Sequence, residues 1–569
     1  MAPYPSNEKC IMKSGRFAQH VLHLRWLVLF LVCVTFLSHL FYSWIGYNPT
    51  DDGFVLAYSK RILNCEVPHR DFISIRPIGS AILHLPFVFF GGDYCYWFSR
   101  MFVWFQFACI ACLWTLIINA TFDLNLKDKE KFILSLIAFV ISAHYFPILS
   151  WYTIDGIFFV SVGVTLCLGK SSKSKFFGYF LIGCSYLCKQ NFALIAPLSI
   201  ILLNDWRKIR YWTASCLPGI MYFLPLAIVG SLPNMINQLT SATNLWEIGV
   251  MRFVADKTVV WSIVIGLIFV FLAFDQTKTG PSKRLIYLAR GKKILATLII
   301  FLIILSALIG IMKGNYKQLA SLQLFGVVLG ISIYSLLRRR ILARTLPLAL
   351  LVALLGWSVA ISMGVPFPSL AGGPMAVVLI GYLFFMLKTF KQPSILRKAM
   401  DIFLIIAMFV SLFVFHHARN NNVYRDMQSK YLTKELGEVL PGGKMIKTSP
   451  RTYEFLEDLN KAVQMASGKN YAVLPDCAGY WVKANQANPL PIDWAHGVEL
   501  QKVSVYEMFL GKLEARRGKI VIILEKTRAH TLKSGFYPIP AETNYYKVVK
   551  YVKENFTMFD ETNHFALYH

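Results

Sequence analysis

Thirteen apolar runs punctuate the first 416 residues, at roughly 24–46, 96–119, 131–149, 153–169, 176–188, 192–203, 213–231, 258–274, 294–312, 318–337, 346–364, 373–388 and 400–416. An α-helix needs about 20 apolar residues to cross a hydrocarbon core of about 30 Å. The pattern therefore predicts a polytopic α-helical membrane protein with about 13 transmembrane helices. The pair 176–188 and 192–203 is short, and reads either as two spans broken at Lys189-Gln190-Asn191 or as one long helix. Two longer polar regions stand apart from the runs. The first, residues 47–95, is a large loop between spans one and two. Within it Phe54 to Leu63 has apolar positions 54, 55, 58 and 62 around Lys60 and Arg61, the pattern of a short helix lying along the membrane interface or of a solvated loop helix. The second, residues 417–569, changes period. Lys444–Pro450, Tyr471–Pro475 and Ile520–Leu524 read as strands and Gly497–Arg516 as a helix, with a helix from Pro450 to about Ser467 and an edge strand at His564–Tyr568. The expected division is a membrane domain over 1–416 and a C-terminal extracytoplasmic α/β domain over 417–569.

Composition agrees. Of 569 residues 56% are apolar and 16% charged, with a mean hydropathy of +0.51. Soluble domains carry about 25% charge, which excludes an ordinary soluble or disordered chain. The net charge of +27 suggests nucleic acid until its distribution is read. With thirteen crossings and a cytoplasmic N-terminus, the inside segments hold 27 Lys and Arg and the short outer loops only 5: Lys189, Arg252, Lys257, Lys313 and Lys317. Short cytoplasmic loops carry the basic excess. The charge is thus a topology signal, nucleic acid drops out as a partner, and the break at Lys189 is kept. Both large polar regions then face outward. Most cysteines lie inside apolar runs; Cys65 and Cys95 share the first loop and are close enough in sequence to be candidates for a bridge. No short-range His/Cys spacing signals a metal, and no cofactor is expected.

Chemistry concentrates at the outer face. Thr50-Asp51-Asp52-Gly53 follows the first span. Carboxylates near lipid are costly and mark function, while Thr50 or Asp51 also suits a helix cap. Asp51 is the candidate general base, with Asp52 beside it. Arg76-Pro77 closes the loop, and a guanidinium suits bidentate phosphate binding or an interfacial anchor. Asp155 is the acidic residue of the turn before span four, as a catalytic candidate or a turn-forming Asp-Gly. Lys189 at the helix break is a further candidate for an anionic headgroup, and Arg252 and Lys313 are weaker phosphate candidates.

These motifs in this order, Thr-Asp51-Asp52-Gly, Arg76-Pro77, Tyr-Thr-Ile-Asp155 and Lys189-Gln190-Asn191, resemble the GT-C superfamily of membrane glycosyltransferases, near the lipid A aminoarabinose transferases and protein O-mannosyltransferases. The resemblance implies a polyprenyl-phosphate sugar as donor, Asp51 near the reacting sugar and Arg76 on the lipid phosphate. It departs in one place: the basic residue expected one helical turn beyond the acidic pair is absent, and Lys60 and Arg61 come about two turns on. The implied function is inverting transfer of a sugar to an acceptor hydroxyl of a glycan, lipid or protein, catalysed by Asp51, Asp52 and Asp155 with Arg76, Lys189 and Arg252 on the phosphate. A bacterial inner membrane is favoured over an endoplasmic-reticulum membrane. The alternative is a multispan transporter or flippase of a lipid-linked glycan, which the short helix pair would suit.

Overall fold

The computed structural model describes residues 25–144, 148–241, 245–274, 283–314, 320–337, 342, 344–361, 368–389, 394–540 and 543–569. Lys9, Lys13, Arg16, Lys317 and the arginines at 338–340 lie outside them. The first helix, α1 (Arg25–Tyr42), leads into two helices of the first loop, α2 (Phe54–Leu63) and α3 (Gly79–Phe90). There follow α4 (Cys95–Thr121), α5 (Asp128–Ala143), α6 (Tyr152–Cys167), α7 (Ser172–Cys188), α8 (Ile195–Leu202) and α9 (Ile209–Ile228). Two short helices, α10 (Leu232–Leu239) and α11 (Leu245–Ala255), precede α12 (Lys257–Phe274), α13 (Lys283–Met312), α14 (Ala320–Leu337), α15 (Leu346–Ala360), α16 (Gly372–Thr389) and α17 (Ser394–Asn421). A helix lies on every one of the thirteen apolar runs.

Among the described residues, eight segments are long and apolar enough to cross a bilayer: Arg25–Tyr42, Gly92–Thr121, Ile209–Ile228, Lys257–Phe274, Arg290–Met312, Ala320–Leu337, Ser369–Thr389 and Arg397–Asn421. The apolar helices Tyr152–Cys167, Gln190–Leu202 and Leu346–Ala360 are shorter than a full crossing. The outermost helices show what covers them. On α1 the buried positions are Trp26, Phe30, Val34, Ser38 and His39, the first four in one stripe at a spacing of four, while Val28, Leu29, Val32, Phe36 and Phe41 lie bare. A stripe against protein with large apolar side chains on the opposite face is what a lipid-facing helix needs.

The chain after α17 builds an α/β unit. The two-residue strands β1 (Lys434–Glu435) and β2 (Lys447–Thr448) pair antiparallel. Helix α18 (Pro450–Met465) starts at Ser449, whose hydroxyl accepts from the Thr452 N–H, with proline at its first position. Then come β3 (Asn470–Leu474), α19 (Val503–Glu514), β4 (Ile520–Glu525), α20 (Lys547–Asn555), β5 (Met558–Glu561) and β6 (Phe565–Tyr568). The sheet order is β3-β4-β6-β5, with β3 and β4 parallel and the other two pairs antiparallel. Every residue of β4 is buried, as its unbroken Ile-Val-Ile-Ile-Leu run requires of a strand covered on both faces.

The first loop is sewn to this unit. Lys447 N–H donates to the Trp44 carbonyl (2.8 Å), Gly46 N–H to Lys447 (2.9 Å), Gly479 N–H to Pro49 (3.1 Å) and Ile73 N–H to Pro491 (2.6 Å). Tyr47, Leu56, Val88 and Tyr96 share one apolar core with Leu436, Phe455, Val473 and Ile523. The backbones meet at Gly53 and Gly479, where a Cβ on Gly53 would stand 2.1 Å from the Gly479 Cα. Only glycine allows that approach. Helix α2 is accordingly not a surface helix. Phe54 through Ser59 and Arg61 are buried, because the α/β unit covers the face expected to meet lipid headgroups or water. Helix α17 runs through residue 416 to Asn421, so no chain break marks the expected domain edge.

Candidate functional site

Asp51 lies at the start of α2, buried between the first loop and the segment that follows α17. One carboxylate oxygen, Oδ2, accepts from the Tyr424 hydroxyl (2.6 Å) and pairs with Arg425 Nη1 (2.9 Å). The next residue, Asp426, fixes both partners. Its carboxylate accepts from the Tyr47 N–H (3.0 Å), the Thr448 hydroxyl (2.8 Å) and the Met427 N–H (2.8 Å). Arg425 itself sits in the left-handed region at φ 50°, a conformation that a non-glycine residue keeps only when its neighbours dictate it.

Asp52 points the other way. Its Oδ1 accepts from Arg100 Nη2 (2.7 Å) and its Oδ2 from the Asn48 N–H (2.8 Å). The same guanidinium donates to the carbonyls of Ser43 (2.7 Å) and Gly46 (2.7 Å), closing the end of α1. Burial raises the Asp52 pKa and Arg100 works against that rise. The pair thus holds the turn that presents Asp51.

Arg76 reaches into the α/β unit, where its Nη1 donates to Glu499 Oε1 at 2.5 Å. The guanidinium lies over the rings of Phe54 (5.3 Å) and Tyr152 (5.4 Å), so aromatic faces and a carboxylate fix its plane. Glu499 is fully buried, and its second oxygen has no hydrogen-bond partner. Burial raises its pKa, opposed by Arg76. Lys189, in the turn between α7 and α8, points its Nζ at the Thr153 hydroxyl (3.4 Å). Burial, then the charge of Arg76, lowers its pKa to about 7. Arg76 and Lys189 are thus largely buried and near enough for the charge of one to act on the other.

The remaining expected residues make other contacts. Asp155, in the first turn of α6, is buried inside the helix bundle, where its Oδ1 accepts from Gln106 Nε2 (2.7 Å) and meets His84 Nε2 (3.1 Å). Arg252, near the end of α11, is exposed. Arg61 is consumed structurally: it makes a bidentate pair with Asp493 (2.6 and 2.8 Å) and a third contact with Glu66 (2.7 Å). Cys65 and Cys95 are both free thiols.

A second cluster lies at the carboxyl ends of the parallel pair β3 and β4. Asp476, just past β3, stands 3.6 Å from His496 Nε2 and 3.6 Å from His530 Nδ1. Trp494 Nε1 donates to Asp476 Oδ1, and the Trp494 ring stacks on His496 and meets Phe54 at 4.5 Å. The cluster therefore adjoins Arg76 through Phe54. Burial lowers the His496 pKa to about 4, while the two histidines hold Asp476 down. Sequence reading passed over Tyr424, Arg425, Glu499 and this cluster. They lie hundreds of residues from their partners or are spread over more than fifty positions, with no short spacing to mark them. Comparison with protein-family models, curated proteins and solved structures finds no match.

Proposed function

We propose that the protein is an inverting membrane glycosyltransferase that moves a sugar from a polyprenyl-phosphate donor to an acceptor hydroxyl at the outer face of a membrane. The observation that carries this reading is the buried excess of positive charge at Arg76 and Lys189, next to a first loop that presents the Asp51 carboxylate. Arg76 and Lys189 are both largely buried and the charge of Arg76 acts on Lys189, a setting that an anion between them would relieve. In the proposed step Asp51 exchanges its contacts with Tyr424 and Arg425 for the acceptor hydroxyl and takes its proton. The acceptor oxygen bonds to the anomeric carbon as the bond from that carbon to the phosphate oxygen breaks, and Arg76 and Lys189 hold the departing phosphate. Asp52 positions the Asp51 turn through Arg100. The finer topology belongs to the same reading: thirteen crossings, a cytoplasmic N-terminus and an extracytoplasmic α/β unit, supported by the basic asymmetry.

The test is release of polyprenyl phosphate from a panel of sugar-lipid donors by purified protein in lipid. Asp51→Asn keeps the shape and should reduce release by about 10²–10⁴-fold. Absence of release from every donor, together with protein-dependent movement of the intact donor across the bilayer, would replace the enzyme reading with that of a flippase.

A further inference from the structure

Asp476, His496 and His530 come from three separate segments: the loop after β3, the loop before α19 and the 3-10 turn Ala529–Thr531 after β4. Their ligand atoms all lie within 4.8 Å of one another. The Asp476–His496 and Asp476–His530 separations, both 3.6 Å, are too long for hydrogen bonds. The first ends on Asp476 Oδ1 and the second on Oδ2, so the carboxylate lies between the two imidazoles, and the ligand atoms of the three groups span at most 4.8 Å.

Hydrogen bonding leaves the group unsatisfied. Neither nitrogen of the buried His496 has a partner, and Asp476 Oδ2 has none. Buried polar atoms without partners are rare and call for an explanation. The surroundings orient these atoms rather than satisfy them. Trp494 occupies Asp476 Oδ1 and leaves Oδ2 for another ligand. The Asp476 N–H is held by Glu525 Oε1 (2.7 Å), and the Tyr545 ring closes on His496 at 3.5 Å. Outer contacts of this kind, fixing a carboxylate and an imidazole, are what tune metal sites. His530 is the open side. Its side chain is 24% exposed and gives an ion a way in. The Tyr546 hydroxyl, 3.3 Å from His530 Nδ1, gives up that contact when the nitrogen takes a metal. The place in the fold fits as well, since ligand sites of parallel strand pairs lie beyond their carboxyl ends.

We propose that Asp476, His496 and His530 form a binding site for a divalent transition-metal ion of the zinc class. Two imidazoles and one carboxylate select such ions over calcium or magnesium, which prefer oxygen donors. Three protein donors leave one position of a tetrahedral shell for water. The ion ties the loop that carries Trp494 to the other two segments, and so steadies the wall behind Phe54 and Arg76. This inference does not depend on the proposed sugar transfer.

The full chain, purified in detergent without a histidine tag and stripped with chelator, is titrated with Zn²⁺ and separately with Co²⁺. One Zn²⁺ per chain should be retained through gel filtration, the thermal transition should rise, and Co²⁺ should give the visible absorption of a tetrahedral site. His496→Ala and His530→Gln should lose the retained ion, the absorption and the thermal rise. His530→Gln changes a partly exposed residue, so it carries the test if His496→Ala fails to fold. Equal Zn²⁺ retention by wild type and His530→Gln, or Co²⁺ bound without tetrahedral absorption, would overturn the proposal. Both readouts are independent of transferase activity.

Discussion

Replacing Arg76 by methionine removes a charge and keeps most of the volume. It leaves Glu499, whose side chain is 0% exposed, facing Phe54 and Tyr152 without its cation. Breaking one side of a buried ion pair costs about 3–5 kcal/mol. Because burial already raises the Glu499 pKa, the orphaned carboxyl escapes part of that cost by taking a proton. A raised carboxyl pKa begins to destabilise the fold above the ordinary carboxyl pKa, and the penalty is complete only above the raised value. The loss in Arg76→Met should therefore be largest at pH 7–8 and shrink as the pH falls through the raised value. In the double variant Arg76→Met/Glu499→Met both charges are gone and stability should return to near wild type. Donor binding should not return. A charge-assisted contact to phosphate is worth about 1.5–3 kcal/mol, or roughly 10- to 150-fold in Kd. The assay is thermal unfolding in detergent alongside titration with a polyprenyl-phosphate sugar, for both single variants and the double. If the double variant regains stability and binds the donor as well as wild type, Arg76 serves Glu499 alone and the phosphate assignment fails.

Three further outcomes follow from the same geometry. Lys189, with its pKa lowered to about 7, is charged below that pH and neutral above it, so anion affinity should fall as the pH rises through 7; Lys189→Arg, which stays protonated, should flatten the profile in phosphate-donor titrations, and an unchanged profile would exclude Lys189 from the anion site. Asp52→Asn should destabilise by about 3–5 kcal/mol by stranding Arg100, whereas Asp51→Asn should leave the unfolding midpoint within a few degrees while turnover collapses; the reverse ranking would exchange their roles. Gly53→Ala should cost about 1–3 kcal/mol through overlap with Gly479, while Gly511→Ala, in open space on α19, should stabilise by about 0.5–1 kcal/mol; denaturant unfolding separates them, and a harmless Gly53→Ala would mean that the seam can spread.

The parts of this molecule readable from the chain are those governed by local pattern. Apolar runs gave helices because lipid-facing and buried positions are both apolar, and the short apolar runs 471–475 and 520–524 gave strands β3 and β4. The interfacial setting expected for α2 was not observed, because its apolar face meets Ala478 and Trp494 rather than headgroups, and nothing in ten residues says which apolar surface will cover them. Arg61 and Arg76 are alike in sequence: both are basic residues of one loop. Their fates differ because Asp493 meets the first with two oxygens and Glu499 the second with one. Asp155 resembles Asp51 as a carboxylate at a span's edge, but Gln106 and His84 draw it into the bundle. Each distinction depends on a partner at least 49 positions away, beyond the reach of motif spacing.

The Gly53–Gly479 contact bears on whether the molecule can be divided. The face of the last 150 or so residues that carries Ala478, Tyr480 and Trp481 is completed by Tyr47, Phe54 and Tyr96. Expressed alone, that fragment would expose an aromatic surface to water, and self-association is its natural outcome. The helical part alone would present α2 bare. Synthesis supplies the two halves far apart in time, with about 370 residues emerging between them. The first loop therefore waits, its acidic turn unsupported, until Tyr424, Arg425 and the Gly479 turn arrive. Maturation of the acidic turn is a late event, and a stop between α17 and Gly479 abolishes it however complete the membrane helices are.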